Sequence, residues 1–107
     1  MPERITLRQF EESDGVGDWK AVGDIASACF RTGAFTTGVD LVVEIGRLAE
    51  EMNHHPDIDL RYSTLTVRLS THDVMGLSEL DVELARKISA AARARDIDAD
   101  VSTPPNA

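Results

Sequence analysis

Cysteine is nearly absent from this chain, and so are the signals of several large classes of protein. Cys29 is the only cysteine, which excludes an intramolecular disulfide and any zinc or iron–sulfur site built from several cysteines. No apolar run approaches the ~20 residues of a membrane span. The N-terminus has no apolar stretch of the kind that directs secretion. We therefore expect a cytoplasmic protein.

Positive charge is also scarce. The chain has 11 Lys and Arg against 19 Asp and Glu, which gives a formal net charge of −8. Phosphate binding needs clustered Lys and Arg, and an acidic surface repels anionic membranes. We therefore expect neither nucleic acid nor a membrane as the partner.

Common catalytic motifs are missing as well. No Gly-rich phosphate loop follows a strand, and no Gly-x-Ser-x-Gly sequence is present. Cys29 lies in an apolar segment, where we expect a packed small side chain and not a nucleophile.

The chain length limits the number of domains. The 107 residues fit one domain, for which we expect an irregular N-terminal segment at 1–18 and a frayed tail at 98–107. Small domains bury a small share of their surface, so we expect a homodimer or homotetramer.

The N-terminal third predicts short extended pieces. Ile5, Leu7 and Phe10 indicate an extended segment that leads into a Gly-punctuated acidic loop up to Asp18. Residues 19–22 and 25–30 then predict two strands, joined at Gly23-Asp24 by a tight hairpin.

From Thr36 onward the sequence predicts a helix, because apolar residues recur at helical spacing. Thr37 and Asp40 are its predicted N-terminal cap. Pro56 lacks an amide hydrogen and disfavours helix in the residue before it, so the helix must end near Asn53. Its apolar stripe consists of Leu41, Val42, Ile45, Leu48, Ala49 and Met52.

Residues 58–71 change to a two-residue period, which predicts a strand. Leu65, Val67, Leu69 and Thr71 face one way, and Thr66, Arg68, Ser70 and His72 face the other. A second helix is opened by Ser78 and Asp81, and its stripe is Leu80, Leu84, Ile88 and Ala91. The predicted fold is α+β, an antiparallel sheet with two main helices on one face.

The three histidines stand out as candidate catalytic residues. His54 and His55 follow the end of the first predicted helix, and His72 follows the predicted strand on its polar face. Histidine exchanges protons near neutral pH, since its unperturbed pKa is roughly 6.5. Two other interpretations remain open: solvated loop histidines that cap the helix, and a metal site.

A metal site would combine one of the paired histidines with His72 and with Asp59 or Asp73. Adjacent residues in an extended segment point in opposite directions, which makes it difficult for His54 and His55 to share an ion. The helical His-x-x-x-His spacing of strong zinc motifs is also absent. We therefore predict no metal and no other cofactor.

The order of these residues resembles the pterin-4a-carbinolamine dehydratase family. Glu50 is followed by His54-His55-Pro56, an aromatic residue at Tyr62, His72 and then Asp81. The segment 70–73 and the segment 76–81 resemble the second block of the family. The resemblance covers residues 35–95 well and 19–34 loosely; Trp19 aligns only loosely, and we expect it to be a core residue.

The resemblance implies a sheet extended by dimerisation and a lyase activity. The family reaction dehydrates 4a-hydroxytetrahydrobiopterin to the quinonoid dihydropterin and so recycles a hydroxylase cofactor. Carried over by position, the catalytic residues are His54, His55 and His72, and the pterin-binding residues are Glu50, Ser70, Thr71, Asp73 and Asp81. We expect His54 and His72 to act as acid and base, in either order.

Two alternatives to this activity stay open at the level of sequence. In the first alternative, the chain is a non-catalytic pterin-binding or dimerisation module. In the second alternative, it acts on another pterin, such as a molybdopterin-type compound.

Overall fold

The computed structural model describes residues 2–102. Three α-helices, a short 3-10 helix and five strands form within this part of the chain. In chain order they are α1 (Leu7–Glu11), β1 (Lys20–Val22), β2 (Ile25–Arg31), α2 (Phe35–Met52), β3 (Asp57–Leu60), β4 (Thr64–Leu69), the 3-10 helix (His72–Val74), α3 (Glu79–Arg93) and β5 (Asp98–Ala99). The α+β prediction is confirmed.

The strands form one antiparallel sheet in the order β1-β2-β4-β3. The predicted hairpin at Gly23-Asp24 is confirmed, since Val22 pairs with Ile25. β5 pairs with the end of β2, and β1 pairs with its start. In the register of β2 and β4, Ala28 lies opposite Val67 and Phe30 lies opposite Leu65. Paired residues share a face of the sheet, so these side chains form the buried face on which the helices pack.

α2 and α3 pack on that face of the sheet through the apolar faces predicted from the spacing of their apolar residues. The buried residues of α2 include Leu41, Ile45 and Leu48. The helix begins at Phe35, and its N-cap Ala34 makes no side-chain hydrogen bond, so the predicted cap at Thr37 is wrong. Its predicted end is confirmed, because Asn53 adopts a left-handed conformation with φ of 49°.

The predicted start of α3 is confirmed, and so is its apolar stripe except for Leu80, which is only half-buried. Ser78 is the N-cap, and its backbone N–H donates to the side chain of Asp81. This capping box fixes the first turn of the helix. Leu84 and Ile88 are fully buried on its inner face.

The N-terminal segment differs from the extended and irregular structure that we predicted. Residues 7–11 form α1, opened by a capping box between Thr6 and Gln9. Phe10 projects from this helix into the core. The pair Thr6 and Gln9 is the sequence signal for this start. Trp19 is a core residue, as expected: its Nε1 donates to Ser89 Oγ at 3.0 Å.

Two further predictions need correction. The tail does not fray at residue 98, because Ala99 pairs with Phe30 and Ile97 is buried; residues 103–107 lie outside the described part. Cys29 is only half-buried, on the sheet face that carries no helices. Among residues 2–102, no helix has both the length and the apolar character to cross a membrane.

Candidate active site

One open cleft of about 320 Å³ lies where α2, β4 and α3 meet at one end of the sheet. The chain leaves α2 through the histidine pair, and it leaves β4 through the 3-10 helix. Both segments border the cleft together with the start of α3. The lining residues are Pro2, Asn53, His54, His55, Ser70, Thr71, His72, Asp73 and Leu80. The structure thus brings together all three histidines.

His54 is the most firmly held of the three. Its backbone N–H donates to the carbonyl of Ala49 at 3.0 Å, beside the left-handed Asn53 that ends α2. Only 9 % of the residue is exposed. Its ring Nε2 lies 2.7 Å from Asp81 Oδ1, so the end of α2 is tied to the first turn of α3.

Asp81 is fully buried, and both of its carboxylate oxygens are occupied. Oδ1 contacts His54, and Oδ2 accepts hydrogen bonds from Thr71 Oγ1 at 2.7 Å and from the Ser78 N–H at 3.0 Å. The N-terminus of α3 also favours negative charge at this position. Asp81 therefore offers no exposed surface to a ligand, although the sequence resemblance implied that it contacts the pterin.

His55 lines the cleft on its solvent side, and its side chain is more than half exposed. Its Nε2 pairs with Glu50 Oε2, and both side chains are mostly exposed. Glu50 does not line the cleft itself but lies behind His55 on the last turn of α2. The different partners of His54 and His55 agree with the expectation for adjacent residues.

His72 reaches the cleft by a different route from the one predicted. β4 ends at Leu69, and Thr71 forms an isolated bridge with Gly76 around the 3-10 helix that carries His72. The side chain of His72 is exposed, and it makes no hydrogen bond to any residue in the range 2–102. Ser70 and Asp73, on either side of it, are exposed as well.

Two features of the site were missed from the sequence. Ser78 was recognised only as a helix cap, yet its hydroxyl lies 2.7 Å from Thr71 Oγ1 in the buried contact below His54. Pro2 and Leu80 line the cleft although neither carries a polar side chain. The cap signal at Ser78 was present in the sequence, but its contact with Thr71 depends on the turn at Gly76.

Of the metal ligands considered from the sequence, the histidines and Asp73 line the cleft, whereas Asp59 does not. Asp59 is absent from the cleft lining and pairs with Arg61 on the β3 side of the sheet. The hydrogen bond from Arg61 holds the pKa of Asp59 below its usual range. Within residues 2–102, no group of three or more His, Cys, Asp or Glu side chains is placed to hold a metal ion.

Comparison with known proteins decides the family. Residues 4–91 match the family model described as pterin 4 alpha carbinolamine dehydratase. The chain belongs to this family. The match includes residues 4–18, which the sequence resemblance does not cover.

Relatives within the family support the same assignment. A Nocardia farcinica protein provisionally named pterin-4-alpha-carbinolamine dehydratase is 42% identical over 76 residues, which cover 71% of this chain and 80% of the relative. A similarly named protein of Sulfurisphaera tokodaii is 37% identical over 87 residues, 80% of this chain and 94% of the relative.

Solved structures give the same fold. The crystal structure of a transcriptional coactivator/pterin dehydratase from Brucella melitensis has a TM-score of 0.74 and 30% identity, and the match covers 83% of this chain and 98% of that one. A pterin dehydratase-like protein identified as a RuBisCO assembly factor in the alpha-carboxysome has a TM-score of 0.61 at 19% identity, covering 70% and 89%. This second likeness concerns the fold alone.

Proposed function

We propose that this protein is a lyase that dehydrates a 4a-hydroxytetrahydropterin to the quinonoid dihydropterin, and so recycles a pterin cofactor. The observation that carries the proposal is the convergence of His54, His55 and His72 on one cleft, with a buried carboxylate behind His54. These residues are the ones to which the sequence resemblance carries over the family's catalytic histidines, and the cleft of about 320 Å³ is open to solvent.

The reaction needs two proton transfers and no redox step. A proton added to the C4a hydroxyl lets the C4a–O bond break, and water leaves. The nitrogen lone pair at N5 then forms the double bond to C4a, and the proton on N5 passes to a base. Atoms and charge balance with one acid and one base, a task that two histidines perform well near neutral pH.

The surroundings of the histidines support a division of roles. Asp81 lies against His54 and stabilises the imidazolium that forms when this ring takes up a proton, so we assign His54 as the base. His72 is exposed and lines the same cleft, so we assign it as the acid that protonates the leaving hydroxyl. His55, Glu50, Ser70 and Asp73 are assigned to binding and orienting the pterin.

The proposal also includes a homo-oligomer. The outer edge of β3 is unpaired in the described sheet, and the exposed side chains of Phe35, Val39 and Val43 form an apolar stripe on α2. Both features are typical of surfaces that a second copy covers. Light scattering coupled to gel filtration measures the mass, and a monomer at micromolar concentration would contradict this part.

The test is the rate at which freshly generated 4a-hydroxytetrahydropterin loses water, followed by absorbance. We expect the wild type to accelerate this step, and His54→Ala and His72→Ala each to lower the catalysed rate by ~10²–10⁴-fold. Arg93→Ala, at the exposed far end of α3, is the control and should leave the rate unchanged.

Circular dichroism establishes that each variant is folded. An unchanged rate in both histidine variants would overturn the assignment of the catalytic pair. A wild type no faster than the spontaneous reaction would overturn the lyase proposal, and would direct the search to a different pterin or to a binding role.

A further inference from the structure

A line of hydroxyl groups connects the start of α3 to His54. Leu80 N–H donates to Ser78 Oγ at 3.2 Å, and Ser78 Oγ lies 2.7 Å from Thr71 Oγ1. Thr71 Oγ1 lies 2.7 Å from Asp81 Oδ2, and Asp81 Oδ1 lies 2.7 Å from His54 Nε2. Ser78, Thr71 and Asp81 are each at most 4 % exposed, so no bulk water competes for these contacts.

The number of available protons determines which group donates and which accepts in each hydrogen bond of this line. An ionised carboxylate only accepts hydrogen bonds, so the single hydroxyl proton of Thr71 must point at Asp81. Thr71 Oγ1 is then left as an acceptor, and Ser78 must donate to it. Ser78 Oγ accepts in turn from the Leu80 N–H. Every donor in the line therefore points towards Asp81, which agrees with a carboxylate that only accepts hydrogen bonds.

The direction of these hydrogen bonds determines which ring nitrogen of His54 carries the proton. A carboxylate that only accepts requires a proton on the nitrogen it contacts, so Nε2 carries the hydrogen. Neutral His54 then has its lone pair on Nδ1. This atom has no hydrogen-bond partner among residues 2–102, and Thr32 Oγ1 is the only buried unpaired side-chain N or O in that range. Nδ1 is therefore in contact with the solvent of the cleft.

We propose that Thr71 is a positioning residue, which acts through Asp81 to hold His54 as the Nε2–H tautomer with Nδ1 as the reacting nitrogen. This inference rests on the proposed function for its kinetic consequence. Thr71 was assigned to pterin binding from the sequence resemblance, but its hydroxyl is buried and is used fully as donor and acceptor inside the protein.

Thr71→Val tests the role of the hydroxyl because valine keeps the shape and removes the donor. We expect kcat to fall roughly tenfold, equivalent to about 1.4 kcal/mol, with KM little changed. Thr71→Ser keeps the hydroxyl and should restore kcat to within about threefold of wild type. Thr66→Val is the matched control, since Thr66 lies on β4 facing away from the helices, and its kcat should not change.

Nitrogen-15 NMR of the histidine rings tests the tautomer without any substrate. In the neutral ring of wild-type His54 we expect protonated Nε2 and unprotonated Nδ1. In Thr71→Val we expect a mixture of the two tautomers, because Asp81 loses the hydrogen bond to Oδ2 that helps to hold Oδ1 against Nε2. A merely structural role of Thr71 would not change this signature. Thr71→Ala takes the place of Thr71→Val if the latter does not fold.

Two results would overturn the inference. One is a wild-type His54 that carries its proton on Nδ1. The other is a folded Thr71→Val protein that retains both the wild-type kcat and the wild-type tautomer. If the wild type does not accelerate dehydration at all, the proposed function fails, whereas the ring spectra still decide how Thr71 and Asp81 hold His54.

Discussion

At the scale of single residues, the chain contains two histidine–carboxylate pairs that differ in their surroundings. His54 and Asp81 meet in a site where the carboxylate has no exposed surface. His55 and Glu50 meet on the outside of α2, where both side chains are more than half exposed. Water screens an exposed pair and competes for its hydrogen bonds, so the buried pair is expected to matter far more for both stability and rate.

Asp81→Asn and Glu50→Gln compare these pairs directly. Asparagine removes the charge that stabilises the His54 imidazolium and weakens the capping box, so we expect kcat to fall at least about a hundredfold and the unfolding midpoint in urea to drop. Glu50→Gln should change kcat less than about tenfold and leave the midpoint unchanged. Equal losses in the two variants would contradict the difference that burial predicts.

At the scale of elements, the two glycines of α2 have different surroundings. A Cβ atom at Gly38 would lie 2.6 Å from Leu60 Cδ1, whereas nothing lies within 4 Å of a Cβ at Gly46. Gly38 therefore allows the first turns of α2 to pack closely against β3. Gly46 faces solvent and carries only the conformational cost of glycine in a helix.

Alanine at these positions should have opposite effects. Gly46→Ala is expected to raise the free energy of unfolding by about 0.5–1 kcal/mol. Gly38→Ala gains the same propensity but must displace Leu60, and we expect a net loss of roughly 1 kcal/mol. Urea denaturation of both variants measures the difference, and a stabilised Gly38→Ala protein would show that Leu60 moves aside at little cost.

The elements also show how far the sequence determined the fold. β4, α2 and α3 were predictable because each is long enough to repeat its apolar period several times. α1 has five residues, too few for a periodic pattern, and only the capping pair of Thr6 and Gln9 indicated it. The single strand predicted over 58–71 is wrong: the segment forms β3 and β4, which pair antiparallel, and β4 ends at Leu69. Neither the connection at 61–63 nor the 3-10 helix contains a glycine or proline that would mark these breaks.

The candidate site was likewise predictable only in part from the sequence. The three histidines were found because their residue type limits what they do and because their order resembles a family. The buried contacts of Thr71 could not be foreseen, since Thr71 and Asp81 are ten positions apart and meet only through the bridge from Thr71 to Gly76. Local patterns carry no information about such a contact.

At the scale of the whole molecule, the end of the described chain completes the sheet. β5 pairs with the part of β2 that β1 leaves open, and the N–H of Asp100 donates to the Cys29 carbonyl at 2.7 Å. Ile97 anchors this segment in the core to which the three α-helices contribute. β5 therefore adds a sheet contact between the last and first thirds of the chain to the hydrogen bond between Trp19 and Ser89.

Ile97→Ala should therefore destabilise the entire domain and not only the tail. Removing a buried isoleucine side chain costs about 2–4 kcal/mol, and we expect one cooperative unfolding transition at a lower urea concentration. Val101→Ala, at a residue that is 55% exposed, is the control and should stay within about 0.5 kcal/mol of wild type. A separate early transition would mean that β5 detaches on its own.

Hydrogen exchange at the backbone amide of Leu80, which donates to Ser78 Oγ, reports on the buried contacts of the site. The backbone amide of Leu80 is the first donor of the line that ends at His54. An amide exchanges its hydrogen for deuterium only when its bond opens. The exchange rate at this one position is therefore expected to report how often the first turn of α3 loosens its hold on Asp81, and with it how often His54 loses its orientation in an otherwise folded molecule.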